Sequence, residues 1–227
     1  MSDLPEPTLA LSPEQIAFYN ENGYLAIDSI TKDDEILSMC AAYDDLFDRR
    51  AGREEGMEFD LAGTDEDHKK PKLPQILEPR NYSEALKNTQ YESNALNVAT
   101  QLLGEGIVLR GSHAICKPAG YGAATPWHQD EAYWSPKKNY HSISIWMPLQ
   151  EATLENGCSI SHRKMSPTLR EGHLSSCSTY PSRHRKRLAT SIGKKASIHT
   201  RPKNGKQPIP DRLRHLLGNI QTEGEYR

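Results

Sequence analysis

Capped helical segments before Gly104, followed by strand-like runs from Ile107, predict an α+β fold with a jelly-roll core flanked by N-terminal helices. Two observations carry this prediction. Apolar residues in the first part recur with the helical period of 3.6, whereas Ile107-Val-Leu and Ser142 to Leu149 read as strands. A chain of 227 residues is long enough to bury one sizeable core.

Taken in order, residues 1–10 read as a flexible leader. Ser12-Pro13-Glu14-Gln15 combines an N-cap, Pro at the first helical position and Gln three residues on, which starts a helix. Ile16, Phe18 and Tyr19 give it an apolar side, and Gly23 stops it before a short strand, Tyr24 to Ile27. Thr31 is the expected cap of a second helix, with Ile36, Leu37, Cys40, Tyr43, Leu46 and Phe47 at its core positions. Residues 51–75 are charged and poor in apolar side chains, so they read as a loop or lid. Ser83 is the expected start of a third helix, with Leu86, Ala95, Leu96, Ala99, Leu102 and Leu103 facing inward and Gly104 as its stop. Asn156-Gly157 signals a tight turn.

The net charge of -2 conceals an asymmetry. Residues 1–158 carry 13 Lys+Arg against 26 Asp+Glu, and residues 159–227 carry 15 against 4. An acidic segment of net charge -13 therefore abuts a basic one of +11. Residues 159–227 contain no Val, Phe or Trp and show no alternating apolar run. One short helix over Ile209 to Leu217 is expected there, and the remainder has the composition of a disordered segment. Mean hydropathy is a polar -0.74, and no apolar run reaches membrane-spanning length. Cys40, Cys116, Cys158 and Cys177 are widely spaced, and Met1 to Pro7 is acidic and proline-rich. Reduced thiols and a cytoplasmic location are the corresponding expectations, with no membrane or nucleic-acid partner and a monomer or weak homodimer.

Chemistry concentrates in Thr125-Pro-Trp-His-Gln-Asp-Glu131. In an extended strand, residues two apart project to the same side. His128 and Asp130 thus present one imidazole and one carboxylate together, two of the three ligands of a facial triad that binds Fe(II) and leaves open positions.

Five stretches surround this pair: Leu11 to Leu25, His113 to Gly120, Thr125 to Trp134, Ser142 to Leu149, and Glu151 to Cys158. In this order they resemble the phytanoyl-CoA dioxygenase family, and the resemblance covers most of residues 11–158. It implies a double-stranded β-helix, iron as Fe(2+), 2-oxoglutarate as cosubstrate, O2, a small organic substrate, and ascorbate as activator. Asp130 would fill the anionic ligand position, which favours hydroxylation over halogenation. The resemblance also places Gln129 and Trp146 along the cosubstrate pocket and Lys117 at its edge, where it could meet a carboxylate. Tyr133 and Trp134 would shape the substrate mouth, while His113 and His141 default to structure. The family's third ligand lies far downstream, with an arginine beyond it that forks onto the distal carboxylate of 2-oxoglutarate. Arg212-Leu-Arg-His215-Leu-Leu-Gly-Asn219 is the nearest match, with Arg227 twelve residues past His215, and His199 is the alternative.

Past Cys158 the resemblance stops, and three readings of residues 159–227 stand. They form a divergent second half of the barrel, with His215 and Arg227 closing the site. They are an out-of-frame or mis-spliced ending, which leaves a catalytically incomplete or truncated family member. Or they are a polyanion-binding arm built on Arg183 to Arg187 with Lys194 and Lys195. The abrupt swing in composition favours the second.

Overall fold

The computed structural model describes residues 4–66, 68–125, 135, 141–152, 159–160, 190–193, 198–199 and 212–222. Helix α1 (Pro13–Asn22) begins at the expected capping box. Ser12 Oγ accepts from the Gln15 N–H at 3.2 Å, and Gln15 Oε1 accepts from the Ser12 N–H at 2.8 Å. Gly23 ends it in the left-handed region at φ 77°, a conformation that favours glycine. Strand β1 (Tyr24–Ile27) follows directly.

Helix α2 (Asp33–Asp48) begins one residue later than the Thr31 signal predicts. The Thr31 hydroxyl donates to Glu35 instead of capping the helix. Ile36, Met39, Tyr43 and Leu46 are its buried residues, whereas Leu37 is 68% exposed, so the inward stripe is rotated toward Met39. Helix α3 (Gln90–Leu103) starts at Thr89, not Ser83. Ser83 instead precedes a single 3-10 turn, Glu84–Leu86, and Asn88 at φ 53° breaks the run before Thr89 Oγ1 accepts from the Glu92 N–H. Glu35 then reaches across from α2 to accept the Gln90 and Tyr91 amides at 2.7 and 2.9 Å. Two N–H groups without helical partners are satisfied by an anion at the positive end of the dipole.

The leader is docked rather than loose. Asn94 Oδ1 accepts from the Thr8 and Leu9 amides at 2.7 and 3.2 Å, and Gln101 Oε1 accepts from the Leu11 amide at 2.8 Å. Ser93, Gln90 and Asn97 donate to the carbonyls of Pro5, Glu6 and Leu9. These α3 residues are spaced three or four apart, so they share one face and read out the backbone of an extended strap.

Residues 51–75 contain β2 (Glu58–Asp60) and the start of β3 (Pro74–Leu77), not loop alone. Asp60 organises the connection by accepting the Ala62, Lys72 and Leu73 amides at 3.1, 2.8 and 2.7 Å. Asp65 accepts the Asp60 amide at 2.8 Å and Arg53 at 2.6 Å, and these contacts, the amide first, hold its carboxyl below the ordinary 3.8. A depressed carboxyl contributes stability above its unfolded pKa and loses it as pH falls through the lower native value. Hydrogen-exchange protection of the Asp60 amide is therefore expected to hold at pH 5 and to fall below about pH 3.8, ahead of the core amides.

Strands β4 (Ile107–Pro118), β5 (Ser142–Pro148), β7 (Thr190–Gly193) and β9 (Arg212–Thr222) join β1, β2 and β3 in an antiparallel sheet of order β1-β7-β5-β9-β4-β3-β2. Strands β6 (Ser159–Ile160) and β8 (Ile198–His199) pair separately. Of the short helix expected over Ile209 to Leu217, the described residues from Arg212 on are strand instead, because β9 lies in the centre of the large sheet and bonds to β4 and β5 on both sides. Leu213, Leu216 and Leu217 carry helical spacing, yet two full ladders override it. The paucity of alternating apolar residues after Cys158 thus did not forbid strands in these segments.

All three helices pack on one face of the sheet, whose core residues there include Ala114, Ile143, Ile145 and Met147.

Candidate active site

Alternation along β4 and β5 separates the two faces of the sheet. Ala114 on β4, and Ile143, Ile145 and Met147 on β5, belong to the helix-packed core. Their neighbours Ile115 and Lys117, and Trp146, therefore face the opposite way, and all three are buried, at 7%, 3% and 7% exposure. The register of β9 adds to this face. His215 is level with Ile115 on one side and Pro148 on the other, and Leu217 is level with His113 and Trp146. The His215 backbone position thus falls on the same face as Lys117 and Trp146, one step along β9 from Leu213, which is level with Lys117, and from Leu217, which is level with Trp146. Three residues far apart in sequence, Lys117, Trp146 and His215, are brought to one face of adjacent strands. His199 is not among them, since it pairs with Ser159 in the two-stranded sheet.

His128, Gln129, Asp130, Tyr133, Trp134, the Asn156-Gly157 turn, the basic positions Arg183 to Arg187, Lys194 and Lys195, and Arg227 lie outside the described residues. Among the described residues, no group of three or more His, Cys, Asp or Glu is arranged to hold a metal. No described helix is long and apolar enough to cross a membrane. The chain that leads toward His128 leaves β4 at Pro118, turns so that Gly122 N–H donates to Pro118 O, and is tied to residue 72 by Ala123 N–H to Lys72 O at 3.0 Å.

Two cavities lie among the described residues. One of about 40 Å³ lies between α2, α3 and the helix-facing side of the sheet, lined by Tyr43, Tyr91 and Ile145. That is room for only about two or three waters. Burial raises the phenols of Tyr43 and Tyr91, so neither is an anion at neutral pH. The other, about 300 Å³, lies in the loop between β2 and β3 and is lined by polar and charged residues. The sequence read this segment as a loop or lid without singling out its lysines; the signal was Asp60-Leu-Ala-Gly-Thr-Asp65, a run rich in turn residues ahead of Lys69 and Lys70.

The family profile for phytanoyl-CoA dioxygenase (PhyH) matches residues 19–163, more than half of the chain. The chain belongs to the phytanoyl-CoA dioxygenase family. The matched span contains His128 and Asp130 and ends five residues past Cys158, close to where the motif resemblance lapses. A phytanoyl-CoA dioxygenase of Arabidopsis thaliana is 27% identical over 182 residues, covering 66% of this chain and 63% of the relative. The chain therefore spans about 63% of the length of that curated relative.

Among solved structures, EvdO2 from Micromonospora carbonacea var. aurantiaca is 27% identical with a TM-score of 0.67, covering 98% of this chain and 96% of that one. The same protein complexed with 2-oxoglutarate aligns at 23% identity with a TM-score of 0.66 over 98% of this chain and 96% of that one. SnoK, a non-heme alpha ketoglutarate dependent carbocyclase from nogalamycin biosynthesis, aligns at 18% identity with a TM-score of 0.65 over 96% of this chain and 87% of that one. The fold is thus the mixed α+β architecture of the iron- and 2-oxoglutarate-dependent oxygenases, a double-stranded β-helix with N-terminal helices on one side.

Proposed function

We propose that this chain is an Fe(II)- and 2-oxoglutarate-dependent dioxygenase that hydroxylates a small organic substrate. The observation that carries the reading is the family match across His128-x-Asp130 in a fold whose sheet, on the face opposite α1 to α3, gathers Lys117 and Trp146 near the backbone position of His215. The donor set fits the metal: an imidazole and a carboxylate two residues apart, with a second imidazole, suit Fe(II) with open coordination positions. His128, Asp130 and His215 would hold the iron, with His199 as the alternative third ligand. Iron with 2-oxoglutarate and O2 would supply oxidation of an unactivated C–H bond, coupled to decarboxylation of the 2-oxo acid to succinate.

The protein's part is positioning and exclusion of water. Lys117 is 3% exposed, and a cation that deep is stable beside an anion, so the edge of a dicarboxylate pocket suits it. Trp146 would present an apolar wall, Gln129 a neutral amide between the two ligands, and Arg227 a fork for the distal carboxylate. The proposed partners are the small-molecule substrate and O2, with ascorbate as activator. Purified chain supplied with Fe(II), ascorbate and 2-oxoglutarate is expected to form succinate slowly even without substrate. Bound iron with no succinate across a broad substrate panel would refute the reading.

Lys117→Met keeps the length of the side chain and removes the charge. It is expected to raise the KM for 2-oxoglutarate about tenfold with a smaller change in kcat, as steady-state kinetics would reveal. An unchanged KM would remove Lys117 from the cosubstrate pocket.

A second reading is favoured by one observation: the family profile ends at residue 163, next to the swing from acidic to basic sequence. On it, the chain retains only the two-ligand stub of His128 and Asp130. Iron would then be held weakly, without turnover. Stoichiometric iron retained through desalting would contradict it.

A further inference from the structure

The 300 Å³ cavity between β2 and β3 has the dimensions of a small-ligand site, at the lower end of the usual range, whereas the 40 Å³ cavity does not. Its charges are not equally available. Asp60 is occupied by three backbone amides at 2.7 to 3.1 Å. Asp65 is held by Arg53 at 2.6 Å and by the Asp60 amide. Glu66 accepts Lys69 at 2.6 Å, which is the first cause of its lowered pKa. Arg50 is paired with the buried Glu58 at 3.0 Å. Asp65 and Glu66 are thus paired with cations, whereas Asp60 keeps its charge with both oxygens taken up by backbone amides. Lys70 and Lys72 also line it, and among the described residues neither ammonium has a hydrogen bond or ion pair. Among the described lining residues, these two ammonium groups outweigh the one carboxylate without a cationic partner, Asp60, so the local balance is cationic.

The loop is also built to hold its shape. The Lys72 N–H donates to Asp60 Oδ2 at 2.8 Å, and its carbonyl accepts from Ala123 at 3.0 Å, so the backbone at residue 72 is pinned on both sides. Gly63 sits against Asp60, where an added Cβ would come within 2.0 Å of Oδ2, so the loop closes tightly around that carboxylate. A pinned backbone lowers the ordering cost of binding. Through Ala123, residue 72 is joined to the chain five residues before His128.

We propose that Lys70 and Lys72 form a binding subsite for a phosphate-type oxyanion, with the Thr64 hydroxyl, also in the lining, as a further donor. Two ammonium groups match a dianion in charge better than a single carboxylate. Within the oxygenase reading, this subsite anchors a phosphorylated part of the substrate. That use rests on the proposed function; the binding itself does not.

The test uses the full chain without added iron or 2-oxoglutarate, with inorganic phosphate titrated at low salt and followed by calorimetry and by 31P NMR. Saturable binding is expected, weakened at least about tenfold by Lys70→Gln with Lys72→Gln and weakened further by added salt. Lys87→Gln, at a half-buried lysine paired with Glu84 and outside the cavity lining, is expected to bind as the wild type does. Undetectable binding, or binding unchanged by the double substitution, overturns the subsite. Acetate bound as tightly as phosphate overturns the assignment to a phosphate. Phosphate binding without turnover upholds the subsite and counts against the oxygenase reading alone.

Discussion

His128→Ala and Asp130→Ala are each expected to abolish 2-oxoglutarate-dependent succinate formation and to leave the purified chain without stoichiometric iron. The physical reason is the small number of protein ligands. A facial triad leaves half of an octahedral sphere to water, cosubstrate and oxygen, so each protein ligand is a third of what retains the metal. His215→Ala should match them if the third ligand is His215, and His199→Ala if it is His199. Arg227→Ala is different in kind. It should chiefly raise the 2-oxoglutarate requirement, because a fork on the distal carboxylate positions the cosubstrate without touching the metal. Iron content by metal analysis, read beside succinate yield and circular dichroism of each variant, separates lost ligation from lost folding. An active wild type with a fully active His215→Ala variant would transfer the assignment to His199. If the chain has only the two-ligand stub, His215→Ala and Arg227→Ala change nothing and the wild type itself is inactive.

The sequence carried the N-terminal half well, for local reasons. Ser12, Pro13 and Gln15 are adjacent, and the bonds they make are short-range, so α1 is readable from four residues. Boundaries went astray where the deciding partner was distant. Glu35 on α2 accepts the first amides of α3, and no local signal at Ser83 could compete with a start at Thr89 stabilised from 55 residues away. The leader was misread for a similar cause: residues 5–11 lack any pattern of their own, and what docks them is a polar row on α3. Strand β9 is the extreme case. Arg212 to Thr222 has leucines at helical spacing, and only pairing with β4 and β5 makes it a strand. Periodicity reports which face is apolar; it does not report a ladder.

The candidate site divides in the same way. The His128-x-Asp130 pair is visible because strand geometry puts residues two apart on one side. Lys117 and Trp146 could be singled out only through the family resemblance, since nothing local distinguishes a pocket lysine from a surface one. Their common face became apparent from the alternation of buried residues on β4 and β5. The lysines of residues 69–72 were passed over because a charged loop ordinarily reads as a solvated one.

The largest effect on stability away from the site is expected at Asn94. Its side chain is 2% exposed and joins three separate pieces of chain. Oδ1 accepts the Thr8 and Leu9 amides at 2.7 and 3.2 Å, while Nδ2 donates to the Ile30 carbonyl at 2.7 Å and to Thr8 Oγ1 at 3.2 Å. Asn94→Leu is similar in size and removes every one of these bonds. The Ile30 carbonyl is then left buried without its donor, and a lost partner of that kind costs about 1–3 kcal/mol. The Thr8 and Leu9 amides can recover water only if the strap leaves α3, which gives up the packing of Leu9 and Leu11 on the core. Together these effects predict a loss of about 2–4 kcal/mol, measured as a lower urea midpoint at unchanged slope. Cleavage within residues 5–11 by a nonspecific protease should accelerate in parallel, because the strap would open before the domain does. Gln101→Ala removes one principal bond, to the Leu11 amide at 2.8 Å, and should cost only about 1 kcal/mol. An Asn94→Leu variant as stable as the wild type, with the strap no more accessible to protease, would show that the polar row on α3 does not hold the leader.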